Sequence, residues 1–236
     1  MLEPQGQIRS DYVGGAVTAI ARLIRDRDLK PGDRLPAEGI LSKELQVSRT
    51  VIREALRSLA ALHLVQLGAG KRPTVAQLDD DAFSLTIEHG VVTDQIDIQQ
   101  IYDARRTIEA RTAALAALRR TDAEARAIAA HARAMLENRD DPRKVMEHDI
   151  ALHLAIAHAS RNPLFALIIG AFGGVTRQTW PIGWKSRTSD DERQAMSELH
   201  VAIADAIAAG EPTAAARLMD EHFDQSIKAL LRAGLI

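Results

Sequence analysis

We predict a mainly α-helical fold arranged in two domains. Alanine and leucine are abundant and only 3% of the 236 residues are aromatic, a composition that favours helices over a large sheet. Hydrophobic residues make up 46% and charged residues 26% of the chain, as in globular proteins, which excludes general disorder. Residues 1–78 carry 12 Lys and Arg against 8 Asp and Glu, a net charge of +4, which leaves −6 for residues 79–236. This asymmetry indicates that the first domain binds a polyanion.

The absence of cysteine limits the possible chemistry. It excludes disulfides, thiolate zinc sites, iron–sulfur clusters and a cysteine nucleophile, so any metal ion has to be bound by His and carboxylate side chains. Charged residues at positions 3, 9 and 11 interrupt the N-terminal stretch that a secretory signal would need. The longest uncharged apolar run, residues 164–175, is too short to span a bilayer. We therefore expect a cytoplasmic protein with no membrane partner.

Three helices are predicted in the first domain. Apolar residues recur at helical spacing over residues 8–29, and Pro31 and Gly32 then end this first helix. A short second helix over residues 37–45 is followed by a tight turn, and Ser48 is a good N-cap for the third helix. The pattern predicts a helix-turn-helix.

The third helix combines an apolar face with a row of arginines. Residues 52, 55, 56 and 59 form the buried face, while Arg49, Arg53 and Arg57 repeat every four residues beside it. Arginine binds the phosphates of DNA and the guanine edges of its major groove. A solvated basic helix face is the alternative interpretation of the three arginines.

A strand-turn-strand pattern after the third helix favours DNA binding over that alternative. Apolar segments at residues 64–67 and 73–75 flank a tip with two glycines, Lys71 and Arg72, which can approach a groove. We therefore predict a winged helix-turn-helix domain over residues 1–78, a linker near residues 76–82, and a second domain over residues 79–236.

The first domain resembles the GntR family of bacterial transcription regulators. The resemblance lies in Pro31–Glu38, in Leu45–Leu56 and in the glycines of the wing. The chain departs from the family pattern at Gly39, where a basic residue is frequent, and at His63, where glycine is usual. The resemblance implies that Arg34, Arg49, Arg53 and Gly70 approach DNA, and the candidate DNA-binding residues are Arg34, Ser48, Arg49, Thr50, Arg53, Gly70 and Lys71.

The second domain is predicted to be an all-helical bundle of six or seven helices. A long amphipathic helix covers residues 94–118, and capping boxes at residues 121–124 and 189–192 mark two further helix starts. Prolines at positions 142, 163 and 212 open other helices, and Gly210 ends one. A loop is predicted from Gly173 through Trp184.

Three histidines and one aspartate form a candidate metal site in this bundle. Asp149 and His153 are four residues apart, on one side of a helix, and His200 and His222 lie beside the apolar faces of later helices. Such a set suits a divalent Zn, Ni, Mn, Co or Fe ion. The alternative interpretation is a group of separate, hydrogen-bonded core histidines.

This part of the chain resembles the FCD effector domain of the FadR subfamily of GntR regulators. Asp149, His153, His200 and His222 match the metal ligands of that family one for one. The resemblance also implies that Arg105 faces the effector pocket, where it could bind a carboxylate. Alternatively, Arg105 is an exposed arginine paired with Glu109 at i+4. Asn162 is a second candidate effector-binding residue.

We hypothesise a transcription regulator, most often a repressor in this family, that binds a palindromic operator as a homodimer. A small organic or sugar acid bound at the metal-containing pocket would control the affinity for double-stranded operator DNA. One alternative is a regulator for which the metal itself is the signal. A remote alternative is a metal-dependent hydrolase or lyase, but no well-placed general base is evident, so we predict no enzymatic activity.

Overall fold

The computed structural model describes the backbone of residues 5–235 and the side chains from position 12 to position 235. The chain divides between Ala82 and Phe83 into two compact units. This division lies four residues beyond the boundary expected from the sequence.

The first unit contains three helices and a two-stranded antiparallel sheet. Val65 pairs with Val75 and Gln66 with Thr74 in that sheet. Its core is formed by apolar residues of all three helices together with Leu35 and Val65. The elements are α1 (Gln5–Asp26), α2 (Glu38–Glu44), α3 (Arg49–Ala61), β1 (Val65–Gln66) and β2 (Thr74–Val75).

Helix α3 forms as its sequence pattern predicts. The side chain of Ser48 accepts a hydrogen bond from the Val51 backbone N–H, which satisfies one of the free donors at the helix start. The four predicted core positions, Ile52, Ala55, Leu56 and Leu59, are all buried. His63, which replaces the glycine usual in the family, adopts a φ of 56°, so the turn before the wing keeps a conformation that glycine favours.

The second unit is all-helical. Its long helices α5 and α11 pack against each other, and α10 packs against α6 and α11. The helices are α4 (Asp81–Val92), α5 (Ile98–Arg119), α6 (Asp122–Glu137), α7 (Pro142–Ala159), α8 (Pro163–Ala171), α9 (Gly173–Ser186), α10 (Asp190–Ala209) and α11 (Pro212–Arg232). In the described chain no helix is long and apolar enough to cross a membrane.

Helix α9 corrects the prediction of a loop. Its buried residues at positions 175, 176, 179 and 183 recur at helical spacing, and burial of this face outweighs the backbone donor that Pro181 lacks. Gly174 has a packing role as well, because a Cβ there would lie 1.7 Å from Glu88 Oε1 of α4.

The predicted caps are mostly confirmed. Thr121 and Glu124 form a complete capping box, and Gly210 ends α10 with a left-handed φ of 73°. The box predicted at Ser189 is incomplete. Ser189 caps the backbone N–H of Glu192, but the Glu192 carboxylate accepts from the backbone N–H of Thr188 instead.

Candidate metal centre and nucleic-acid interface

The four predicted metal ligands lie together in the interior of the second unit. Asp149 and His153 come from α7, His200 from α10 and His222 from α11, and all four are buried. Each offers one ligand atom, and these atoms all lie within 4.8 Å of one another. Two ligands on opposite sides of one ion are about 4.2 Å apart when each bond is near 2.1 Å. The limit of 4.8 Å is close to this distance, so the four ligand atoms are compatible with a single-ion site.

Several ring nitrogens of this cluster lack a hydrogen-bond partner, which fits a metal-binding site. Within the described residues, His153 Nε2, both nitrogens of His200 and His222 Nδ1 are buried without a hydrogen-bond partner. His200 Nε2 is 2.9 Å from Asp149 Oδ1, yet the two atoms are not oriented as a hydrogen bond. Buried polar atoms are normally satisfied, and a shared cation would satisfy several of these at once.

The electrostatics keep His222 and Asp149 in states that can bind a cation. Burial, and then the neighbouring His200 and His153, hold the pKa of His222 well below its usual value, so its ring is neutral at pH 7. Burial alone would raise the pKa of Asp149, but the contact with His200 and the fields of the other histidines outweigh it and lower that pKa. A neutral imidazole and an ionised carboxylate are the forms that bind metals.

Glu109 is a site residue that the sequence analysis missed. Its Oε2 accepts a hydrogen bond from the Nδ1–H of His153, and in a neutral ring this leaves the lone pair on His153 Nε2. Its Oε1 accepts from Arg105 Nε at 2.7 Å, so one carboxylate joins a metal-ligand candidate to an arginine. Only the i+4 spacing from Arg105 pointed to this glutamate in the sequence, and that spacing was equally consistent with an exposed pair.

Arg105 is buried, contrary to the alternative of an exposed pair. Its side chain is 6% exposed and that of Glu109 is 1% exposed. Arg105 Nη1 donates to Thr176 Oγ1 of α9 at 3.0 Å. The guanidinium also lies over the rings of Tyr102 and Phe223, at 5.7 and 5.1 Å from their centroids.

Arg105, Asp149, His200 and His222 line a cavity that we call the chamber. Its volume is about 40 Å³, room for roughly three water molecules. The walls include the stacked rings of Trp180 and Trp184, whose centroids are 5.0 Å apart. The polar residues that line the chamber are Tyr102, Arg105, Asp149, Thr176, Thr179, Arg187, Ser197, His200, His222 and Ser226.

Asn162 has a different position from the one expected of an effector-binding residue. It is the N-cap of α8, where its Oδ1 accepts from the Leu164 backbone N–H, and it does not line the chamber. Its polar side chain is thus accounted for by the helix start. A role of Asn162 in effector binding is not tested by this position and stays a prediction.

The predicted DNA-binding residues are all exposed on the first unit. In the part of the unit with described side chains, Arg49 makes no ion pair, whereas Arg53 donates from Nη2 to Glu38 at 2.9 Å. This hydrogen bond lowers the pKa of Glu38. Gly39, the departure from the family pattern, leaves room for Arg49, since a Cβ would lie 3.2 Å from Arg49 Nη2.

The wing lies close to α3. Gly70 at its tip has a φ of 67°, a left-handed conformation that favours glycine, and Lys71 follows it. Arg34 forms an isolated bridge with Thr74 of β2. A groove of about 400 Å³ separates α3 from the wing, and it is lined by Ala37, Glu38, Arg53, Leu56, Arg57, Leu67, Gly68, Gly70, Lys71, Arg72 and Pro73.

Two family models match the chain. The model described as bacterial regulatory proteins, gntR family, matches residues 14–75, and the FCD domain model matches residues 100–225. The HTH-type transcriptional regulator LutR of Bacillus subtilis is 30% identical over 85% of this chain and 92% of its own length. The galactonate operon transcriptional repressor of Escherichia coli is 30% identical over 75% of this chain and 78% of its own length.

The fold is shared with a solved structure. The GntR protein of Streptococcus agalactiae is 23% identical, covers 90% of this chain with 97% of its own, and superposes with a TM-score of 0.67. The matched families and relatives are transcription regulators and not enzymes. The chain therefore belongs to the GntR family of bacterial regulatory proteins, with a gntR-type DNA-binding module followed by an FCD domain.

Proposed function

We propose that this DNA-binding regulator is a repressor whose operator affinity is controlled by a small carboxylate metabolite bound beside a divalent metal ion. The observation that carries the proposal is the buried cluster of Asp149, His153, His200 and His222. Asp149, His200 and His222 line the same cavity as Arg105, and ring nitrogens of all three histidines are buried without a hydrogen-bond partner among the described residues. Residues 1–78 would bind DNA, and residues 79–236 would bind the effector and form the dimer.

The DNA contacts are assigned to α3 and the wing. Arg49 lies at the exposed start of α3 and makes no ion pair with any described group, so its guanidinium is available to a base edge or a phosphate. Arg53 would give up its hydrogen bond to Glu38 and bind DNA instead. The DNA backbone would be contacted by Ser48, Thr50, Arg34, Gly70 and Lys71.

A homodimer on a palindromic operator follows from the small size of one such module. A single module of this type buries only about 600–1,000 Å² on DNA, whereas two modules on two half-sites supply both register and affinity. The relatives named above as a transcriptional regulator and as an operon repressor support the proposed role in repression.

The metal ion and Arg105 would both bind the carboxylate of the acid. The four-residue cluster supplies the donor set for the ion, and the ion would supply a positive centre for a carboxylate oxygen. Arg105, which already bonds Glu109 and Thr176, would offer its remaining N–H donors to the same carboxylate. The acid must bind one arrangement of the two units better than the other, and a tenfold to hundredfold change in DNA affinity needs about 1–3 kcal/mol of coupling.

The proposal is tested by measuring DNA affinity under four conditions. A duplex is selected from a random pool by the wild-type protein, and its binding is followed by fluorescence anisotropy. The protein is tested without metal, with Zn²⁺, with galactonate, L-lactate or succinate as probe acids, and with metal and acid together. We expect at least one acid to weaken binding about tenfold or more only when metal is present. If metal alone produces the change and no acid adds to it, the metal is the signal and acid control is wrong.

Replacing Glu109 with glutamine is expected to weaken metal binding by about 10–100-fold. The neutral amide accepts a hydrogen bond from the Nδ1–H of His153 more weakly than a carboxylate does, and its NH2 can instead donate to Nδ1, so the preference for a lone pair on Nε2 is weakened. Zn²⁺ affinity is measured by competition with a chromogenic chelator. Glu221→Gln is the matched control, because Glu221 is exposed beside the ligand His222. Equal affinities for the two variants would contradict a role for Glu109 in orienting His153.

A further inference from the structure

Arg187 is a second arginine of the chamber, and it differs from Arg105 in being unpaired. It follows the end of α9, and its Nη1 donates to the Gly183 carbonyl at 3.1 Å. No carboxylate of the described residues lies within 4.0 Å of its guanidinium, whereas Arg105 is bonded to both Glu109 and Thr176. A guanidinium has five N–H donors, so most of those of Arg187 are open to a ligand.

The position of Arg187 is partly buried. Burial lowers its pKa, and the fields of Asp149 and Glu192 only partly oppose this effect. Removing an unpaired cation from water is costly, and a carboxylate bound to the guanidinium would offset that cost. The free donors of Arg187 and its incomplete charge compensation both favour an anionic ligand.

Arg187 also separates two cavities. It lines the chamber, and it lines a second, more open cavity of about 190 Å³ that we call the outer groove, together with Glu192, Gln225, Lys228 and Arg232. Arg232 in this groove is already paired with Glu192 at 2.7 Å. The unpaired guanidinium therefore lies where the outer end of a ligand that fills the small chamber could contact it.

The net charge of the site favours a ligand with two negative charges. With a divalent ion bound, the positive groups of the site are the ion, Arg105 and Arg187, and the negative groups are Asp149 and Glu109. Burial raises the pKa of Tyr102, so its hydroxyl stays protonated and neutral. Two positive charges then remain without compensation.

We infer that the effector is a compact dicarboxylate, with one carboxylate bound inside the chamber at the metal and Arg105 and the second clamped by Arg187 at the outer groove. This inference rests on the proposed metal and acid site. The chamber of about 40 Å³ limits the inner part of the ligand to a few heavy atoms, so a short acid is expected.

Isothermal titration of the Zn²⁺-loaded full-length protein tests the inference. The probes are malonate, succinate and glutarate, each compared with the monocarboxylate of the same chain length: propionate, butyrate and pentanoate. A charge-assisted hydrogen bond contributes about 1.5–3 kcal/mol, so at least one dicarboxylate should bind tenfold to hundredfold more tightly than its counterpart. Bound zinc is measured before and after each titration, because dicarboxylates also chelate free metal.

Two substitutions separate Arg187 from general electrostatics. Arg187→Gln is expected to remove the dicarboxylate preference while it leaves monocarboxylate affinity, zinc content and melting temperature close to those of the wild type. Lys228→Gln, which removes a positive charge from the outer groove alone, should keep the preference. Arg187→Lys, which keeps the charge but loses the planar fork, should give an intermediate preference.

The outcomes distinguish this inference from the proposed function. Equal binding of mono- and dicarboxylates by the wild type, or a preference that persists in Arg187→Gln, overturns the role of Arg187 and leaves the metal and acid site intact. Failure of the zinc-loaded wild type to bind either class of probe overturns both.

Discussion

Replacing Arg49 with alanine is expected to reduce the affinity for the selected operator by roughly 30-fold to 20,000-fold. Each bidentate contact between an arginine and a guanine contributes about 1–3 kcal/mol, and a homodimer loses two of them. Arg49 is exposed at the start of α3 and makes no ion pair with a described side chain. Its substitution therefore removes a DNA contact and leaves no unpaired carboxylate behind.

The measurement for Arg49→Ala is fluorescence anisotropy at several salt concentrations, on the selected duplex and on a scrambled duplex of equal length. Arg53→Ala is compared in parallel and should have a smaller effect, because Arg53 has to give up its bond to Glu38 when it binds DNA. Arg126→Ala, an exposed arginine of α6, controls for the loss of one positive charge. Undiminished affinity and an unchanged salt dependence in Arg49→Ala would show that α3 does not contact the operator in this way.

Replacing His200 with alanine is expected to abolish stoichiometric metal binding and the response to acid. The loss in metal affinity should exceed the roughly 100-fold that an outer-shell partner costs, because a ligand itself is removed. In the wild type, zinc at 100 times its dissociation constant should stabilise the fold by about 2.7 kcal/mol, and this increase should be absent in the variant. DNA binding without metal should remain, since His200 lies in the second unit.

Elemental analysis after dialysis and melting curves with and without Zn²⁺ provide the measurements for His200→Ala. His158→Ala is the matched control, because His158 is exposed on α7, the helix that carries His153. A zinc-dependent rise in melting temperature that persists in His200→Ala would mean that the ion binds elsewhere, and the proposed sensing site would be wrong.

Local sequence signals predicted much of the fold. Ser48 and Thr121 cap their helices, and Gly210 ends α10, because these residue types satisfy helix termini through contacts with residues only a few positions away. The prediction of a loop from Gly173 was wrong because a contact between residues far apart in the sequence decided the structure there. Gly173 and Gly174 resemble a turn when considered alone, but Gly174 lies inside α9 where Glu88 of a distant helix packs against it.

Residue types and their helical spacing were also enough to select the metal-ligand candidates. Asp149 and His153 share one side of α7, and the apolar surroundings of His200 and His222 indicated that both histidines face the interior. The family resemblance then matched all four residues to the metal ligands of that family. The structure brings the four ligand atoms together, as that set requires.

The sequence by itself determined the capped helix ends, the arginine row of α3 and the identity of the four candidate ligands. These follow from contacts within a few residues or from the 3.6-residue period of a helix. Only the tertiary structure decided that Glu109 holds His153 across 44 residues of chain, that Arg105 is buried, and that Arg187 is left without a carboxylate. Such pairings depend on how helices pack against one another, and helical periodicity fixes which face of a helix is buried but not which residue of another helix that face will meet.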